Sequence, residues 1–278
     1  MNLKILGSSG SVAPGHNTAA FLIDDFLLLD AGTIALSLDQ DAQFKISHIF
    51  LTHAHLDHIK GIPFLIDNLA MSRPRTQVKV ISGKEVIREI RRHIFNNRIW
   101  PDFTQIPSRE HPVLRFEEIT PREPLVIQGY RVFASRVNHV VPAYGYLVED
   151  KTGTAIVYTG DSGPTDGIWK RMAGHRVRAL IVEVSFPNSQ ARLARISGHL
   201  TPALLRKEIE KMPAIPERVF ICHPKPPYRR TIEKELAAIK GAPVEILEDG
   251  MELWIGDAGS GRSRKTKPRL QQAVRPLE

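Results

Sequence analysis

The chain has 278 residues, 42% of them hydrophobic, which is enough for one α/β domain with a sizeable core. No stretch approaches the roughly 18 apolar residues of a membrane span, which excludes a helical membrane protein, and the single cysteine, Cys222, excludes an intramolecular disulfide. The formal charge of +8 is concentrated: between 262 and 278, Arg262, Arg264, Lys265, Lys267, Arg269 and Arg275 oppose Glu278 alone. That leaves about +3 for everything before, too little for a fold whose whole surface grips nucleic acid.

In chain order, residues 1–7 read as a short strand entering a glycine loop, with no signal-peptide apolar segment, so a cytoplasmic location is expected. The apolar run 49–51 ends in Thr52-His53-Ala54-His55-Leu56-Asp57-His58. Residues 85–95 place Val86, Ile90 and Ile94 on one helical stripe, and an aromatic loop (96–103) and Pro-rich turns (107–124) follow. Two strand-like runs, 130–134 and 144–148, flank Asn138-His139. Runs 155–158, 179–182 and 219–221 then lead to Asp161, Glu183 and His223. Their near-continuous apolar character fits interior strands covered by helices on both faces, with their far ends opening on one crevice. Thr201-Pro202 is an N-cap followed by a first-turn proline and predicts a helix to Met212; a further helix is predicted over 231–240, closed by Gly241. From 257 onward the composition predicts a disordered basic tail, a solvated appendage through which RNA could be held.

The cluster at 53–58 is the strongest chemical signal. Imidazole and carboxylate are ligands of Zn²⁺ and similar borderline metals. Four such groups within six residues cannot all reach one tetrahedral ion, but a His53/His55 pair and an Asp57/His58 pair can serve two adjacent ions. His139 then fits as a third ligand of the first ion, Asp161, flanked by glycines, as a bridge, and His223 as the ligand completing the second. Ligand type favours Zn²⁺, with Mn²⁺ or Fe²⁺ as alternatives. Two such ions about 3.5–4 Å apart would hold a hydroxide between them and neutralise phosphoryl charge. The leaving alkoxide needs a proton, for which His199 is the candidate, with Glu183 orienting its ring. Asp57 counts with both the ligand and the catalytic sets. Lys225 and Arg73 are candidate phosphate contacts and Trp100 a candidate base-stacking ring, although packing is the favoured reading for the aromatics. His16, His48, His93, His111 and His175 lack partner spacing and read as structural or exposed.

His53-Ala54-His55-Leu56-Asp57-His58, His139, Gly160-Asp161 and His223 resemble the metallo-β-lactamase fold over roughly residues 3–256, which implies a four-layer αββα sandwich with two metals between its sheets. The string 55–62, the segment 95–103, Ser197-Gly198-His199-Leu200-Thr201-Pro202 and His223-Pro224-Lys225-Pro226-Pro227 resemble class II 3′,5′-cyclic-nucleotide phosphodiesterases. That resemblance implies one hydrolase domain over 1–256, a small cyclic-nucleotide substrate and a homodimer. Lys60 and Pro63 depart from the usual continuation of the first motif, so substrate preference is expected to differ from that of the best-known members. The Glu183–His199 pair is also similar to that of the tRNA 3′-processing members, which keeps an RNA phosphodiesterase as the alternative. A thioester or lactone hydrolase on the same fold would leave His199 without a task, and a binding module with a relic site would lack a ligand.

Overall fold

The computed structural model describes residues 1–73 and 76–257 and the backbone of residues 264–265. Among these, the strands are β1 (Asn2–Gly7), β2 (Ala20–Ile23), β3 (Leu27–Leu29), β4 (His48–Phe50), β5 (Val78–Ser82), β6 (Leu114–Glu118), β7 (Leu125–Ile127), β8 (Tyr130–Val137), β9 (Ala143–Glu149), β10 (Thr154–Tyr158), β11 (Arg176–Glu183), β12 (Arg218–Cys222), β13 (Val244–Ile246), β14 (Met251–Trp254) and β15 (Arg264–Lys265). The α-helices are α1 (Gln40–Gln43), α2 (Leu56–Ile59), α3 (Gly61–Ser72), α4 (Lys84–His93), α5 (Gly167–Met172), α6 (Ala191–Ile196), α7 (Pro202–Ile209) and α8 (Arg229–Leu236). One sheet runs β15-β14-β1-β2-β3-β4-β5-β6 and the other β13-β12-β11-β10-β9-β8-β7. Pairing is parallel from β3 to β6 and from β10 to β13, and antiparallel elsewhere.

The sheets pack face to face. Phe21 on β2 meets Tyr158 on β10 edge-on with ring centroids 5.0 Å apart, and Phe50 on β4 meets Tyr146 on β9 at 5.4 Å. Ile62, Leu65, Ile66 and Leu69 of α3 join the core of the first sheet. Trp169 of α5, Leu204 and Leu205 of α7 and Ile232 of α8 pack with Leu147, Val157, Leu180 and Val182 of the second. The result is the αββα sandwich. It corrects the expectation of helices on both faces of the strands: a run such as 155–158 is apolar throughout because one face meets the opposite sheet and the other meets helices. Either neighbour excludes water, so the two arrangements leave the same apolar signature. Phe50 sits wholly inside this seam, and truncating it to Ala would cost about 3–5 kcal/mol.

Thr201 caps α7 through a bond from the Leu204 amide, and Pro202 occupies its first turn, as the sequence predicted; α7 ends at Ile209, three residues early. α4 and α8 start one and two residues before their predicted starts and end two and four residues before their predicted ends. The tail expectation falls mostly on residues outside those described. Within them, Asp257 pairs with Arg176 and Arg178, and residues 264–265 add an edge strand on β14. No helix among the described residues is long and apolar enough to cross a membrane.

Candidate metal centre

The crevice lies beyond the ends of strands from both sheets. The first contributes the loop after β4 with His53, then His55 as the N-cap of α2, and Asp57 and His58 within α2. The second contributes His139 after β8, Asp161 after β10, Glu183 at the end of β11 and His223 after β12. His223 has φ +63°, a left-handed conformation uncommon for a residue with a side chain and a mark of a position over-determined by its surroundings. Gly160 also turns through positive φ, and a Cβ there would lie 2.6 Å from the Thr52 side chain; glycine lets the β10 turn bring Asp161 against the His53 loop.

His53, His55, His139 and Asp161 offer one atom each within 4.8 Å of one another, and Asp57, His58 and His223 do the same beside them. His53 Nε2 is 3.0 Å from His55 Nδ1, which is 3.4 Å from His139 Nε2. Asp161 Oδ2 faces both groups, 3.7 Å from His53 Nε2 and 3.4 and 3.3 Å from the Nε2 atoms of His58 and His223. Asp57 Oδ2 is 3.3 Å from His223 Nε2 and 4.0 Å from His58 Nε2.

These residues fit divalent cations. Ligands roughly 2.0–2.1 Å from a tetrahedral ion stand about 3.3 Å apart, the spacing found here. His58 Nε2 and Asp161 Oδ1 are buried and have no hydrogen-bond partner, which a cation between them would supply. Burial and the neighbouring His58 push His53 well below the ordinary imidazole range, keeping it neutral. Against its own burial, Asp161 is held well below the usual carboxylate range by His223 and His58. Burial lowers His55 and His139 as well, so the first group presents neutral imidazoles to an ionised carboxylate, the protonation states that metal binding requires. His58, against its burial, is held well above the ordinary imidazole range by Asp161 and Asp30, so a cation there would have to displace its Nε2 proton.

Most of these rings are fixed from behind. His58 Nδ1 donates to Asp30 Oδ2 at 2.7 Å, and His139 Nδ1 to the Gly198 carbonyl at 2.9 Å, leaving Nε2 of each facing the crevice. His223 Nδ1 lies 2.9 Å from Ser185 Oγ. Asp30, fully buried and at φ +54°, also accepts from the Thr52 amide and hydroxyl, both at 2.8 Å, and from the Tyr158 hydroxyl at 2.7 Å. Sequence reasoning missed Asp30, although 27–29 is another apolar run ending in a carboxylate and carries the same signal as 155–158 and 179–182.

His199 and Glu183 stand beside the donors. Glu183 Oε1 is 2.7 Å from His199 Nδ1, its other oxygen accepts from Ser185 Oγ at 2.8 Å, and the His199 ring stacks on His223 at 5.4 Å. Burial alone would lower the His199 pKa, but the Glu183 carboxylate more than offsets it and holds the imidazole above its ordinary range. The candidate substrate contacts divide. Lys225 is at the crevice, with Nζ 2.5 Å from the Gly10 carbonyl. Arg73 is not: it caps the far end of α3, about 18 Å of helix from Gly61, with its guanidinium over Phe44. Trp100 packs edge-on against Phe64 at 5.4 Å as part of the core margin, and Phe95 and Phe103 are buried in that core. Of the histidines without partner spacing, His48 bonds its neighbour Ser47 and His175 pairs with Glu149.

A two-sheet sandwich with histidine and aspartate donors at its mouth defines a metal-dependent hydrolase of the metallo-β-lactamase fold. The chain belongs to that family: residues 27–223 match the beta-lactamase superfamily domain. It is 28% identical over 250 residues to a Yersinia pestis protein named a probable 3′,5′-cyclic-nucleotide phosphodiesterase, covering 74% of this chain and 71% of that protein. It is 29% identical over 161 residues to the ribonuclease Z of Methanocaldococcus jannaschii, covering 54% of this chain and 48% of that protein. Unliganded yeast PDE1 superposes with a TM-score of 0.77 at 19% identity, over 91% of this chain and 99% of that one, a likeness of fold.

Proposed function

We propose that this chain is a binuclear phosphodiesterase that hydrolyses 3′,5′-cyclic nucleotides to 5′-nucleotides. The observation that carries the reading is the Glu183–His199 pair stacked on His223, a proton donor held against the donor groups. His53, His55 and His139 would hold one cation, Asp57, His58 and His223 the other, and Asp161 both. Such ions, Zn²⁺ by ligand type, supply an activated water and neutralise charge on a phosphoryl group. Glu183 faces Nδ1 and holds the imidazole above its ordinary range, which favours the protonated ring and leaves Nε2–H free to donate to the departing 3′ oxygen. Glu183 is itself fixed by the Ser162 and Leu200 amides and the Ser185 hydroxyl, so the ring it orients is fixed in turn. Lys225 places a positive charge beside this pair, suited to an anionic substrate. A carbonyl hydrolase would give His199 no comparable task. In line with the resemblance, the active form is a homodimer.

The second reading, an RNA phosphodiesterase of the tRNA 3′-end type, rests on the same pair and on the ribonuclease Z relatives. Turnover by the metal-loaded protein separates the two, with 3′,5′-cyclic AMP, bis(p-nitrophenyl) phosphate and a 3′-extended precursor tRNA as parallel substrates. Release of 5′-AMP that vanishes in Asp161→Ala is expected. Cleavage of the tRNA or the generic diester without cyclic AMP would overturn the cyclic-nucleotide assignment.

A further inference from the structure

Beside His55 the surface opens into a cleft of about 450 Å³ that the donor groups do not fill. Its walls are Leu56 of α2, Val86 and Ile90 of α4, and Val141 and Pro142 of the loop between β8 and β9. Leu56 is unusual among them. It stands between His55 and Asp57, yet its side chain is 66% exposed, so core packing does not account for an apolar residue there. The polar groups at the rim are already matched with one another. Glu85 pairs with Arg136 and accepts from the Tyr144 hydroxyl; Glu89 pairs with Arg88 at 3.2 Å and His93 at 3.3 Å.

That pattern selects a ligand. A second phosphate, or a continuing nucleic-acid strand, would need unpaired cations, and here the two guanidiniums and the imidazole are each already held by Glu85 or Glu89. A flat heteroaromatic ring needs apolar surface on its faces, and its size suits a cavity in the lower part of the range typical of small-molecule sites. We propose, building on the cyclic-nucleotide reading, that this cleft receives the nucleobase, with Leu56 and Val141 against the ring and the sugar-phosphate directed past His55 to the donor groups. Leu56 and Val141 are then specificity-determining residues, and the chain is built for a mononucleotide rather than a polymer.

The test compares 3′,5′-cyclic AMP with its base-free counterpart, methyl riboside 3′,5′-cyclic phosphate, on the metal-loaded wild type, Leu56→Ser and Val141→Ser. The readout is the ratio of kcat/KM between the two substrates, which metal loss or partial unfolding leaves unmoved because both substrates see the same enzyme. We expect the wild type to favour cyclic AMP and each variant to lower that preference by about tenfold, chiefly through KM. A preference within twofold of wild type in both variants would overturn the assignment of the cleft while leaving the phosphodiesterase reading standing. A wild type that cleaves bis(p-nitrophenyl) phosphate but not cyclic AMP would instead overturn that reading, and the cleft assignment with it.

Discussion

Asp30→Asn is the most searching substitution in this molecule. It keeps the shape of a fully buried side chain and changes one oxygen to an amide nitrogen. Oδ1 accepts only from the Thr52 amide, whereas Oδ2 accepts from Thr52 Oγ1, His58 Nδ1 and the Tyr158 hydroxyl. Either orientation of the new amide points its NH₂ at donors. Oriented toward the Oδ2 side it meets three, of which the hydroxyls can rotate away but the imidazole relaxes only by moving its proton to Nε2, the atom facing Asp161 at 3.4 Å. Each unsatisfied buried group costs about 1–3 kcal/mol, so a loss of about 3 kcal/mol is expected in the metal-free chain. For a domain of this size that lowers Tm by about 6–12 °C. A proton on His58 Nε2 occupies the lone pair a cation needs. Turned the other way, the amide meets the Thr52 amide alone but offers His58 a neutral carbonyl in place of a carboxylate, which makes the ring a less basic ligand, so in either orientation metal affinity should fall about 10–100-fold. Calorimetry of the chelated protein gives the first quantity and competition against a chromophoric chelator the second. A Tm within 2 °C of wild type together with affinity within about twofold would refute the reasoning. Asp30 would then be a buried carboxylate with no hold on the site.

Three further outcomes are expected. A Cβ at Gly10 would sit 2.6–2.8 Å from the His223 carbonyl oxygen and ring, so Gly10→Ala should weaken metal binding about tenfold or more, measured by the same competition, while the Tm of the chelated protein changes little; full metal affinity would show that His223 yields freely. His199→Ala should leave metal content intact by elemental analysis and lower kcat by about 10²–10⁴, and unchanged turnover would remove His199 from the reaction. Arg136, then the backbone amide of Glu85 itself and the Tyr144 hydroxyl, hold Glu85 down to about 2 from 4.5. A depressed carboxylate contributes stability above its unfolded pKa and loses it as pH falls through the folded one, so this contribution fades between about 4.5 and 2. The pair is solvent-exposed and contributes less than about 1 kcal/mol. Thermal melts at pH 6 and pH 3 should therefore show a slightly steeper loss in wild type than in Glu85→Gln, and identical losses would show that the pair adds nothing.

What the sequence made legible was what periodicity and spacing encode. The run 49–51 with its histidine string, the Thr201-Pro202 cap and the apolar runs leading to Asp161, Glu183 and His223 all lie where they were expected. The layer order was not legible in the strands themselves, because water is excluded equally by a facing sheet and by a helix. Asp30 has the apolar-run signal but lies far in sequence from everything it holds, so its role shows only in the convergence of Thr52, His58 and Tyr158, residues 22, 28 and 128 positions away. The places of Arg73, away from the crevice, and of Trp100, packed on Phe64, were not legible for a related reason. Sequence placed one near the end of a helix and the other in a loop, but not which end of α3 faces the crevice or which ring the indole meets.

The donor groups are drawn from both halves of the chain: His55 meets His139 84 residues later, and Asp57 meets His223 after 166. The first sheet has the same character, since β14 closes against β1 and the amino group of Met1 donates to the Ile255 carbonyl, 254 residues on. A ribosome that has made only the first half has therefore released the histidine string but not the aspartate and histidines that face it, nor the strand that covers β1. Cation capture by the full set would belong to the last stage of folding, when a bound cation would fasten the two sheets across loops of 84 to 166 residues and so restrain the seam between them at the end where the donor groups lie.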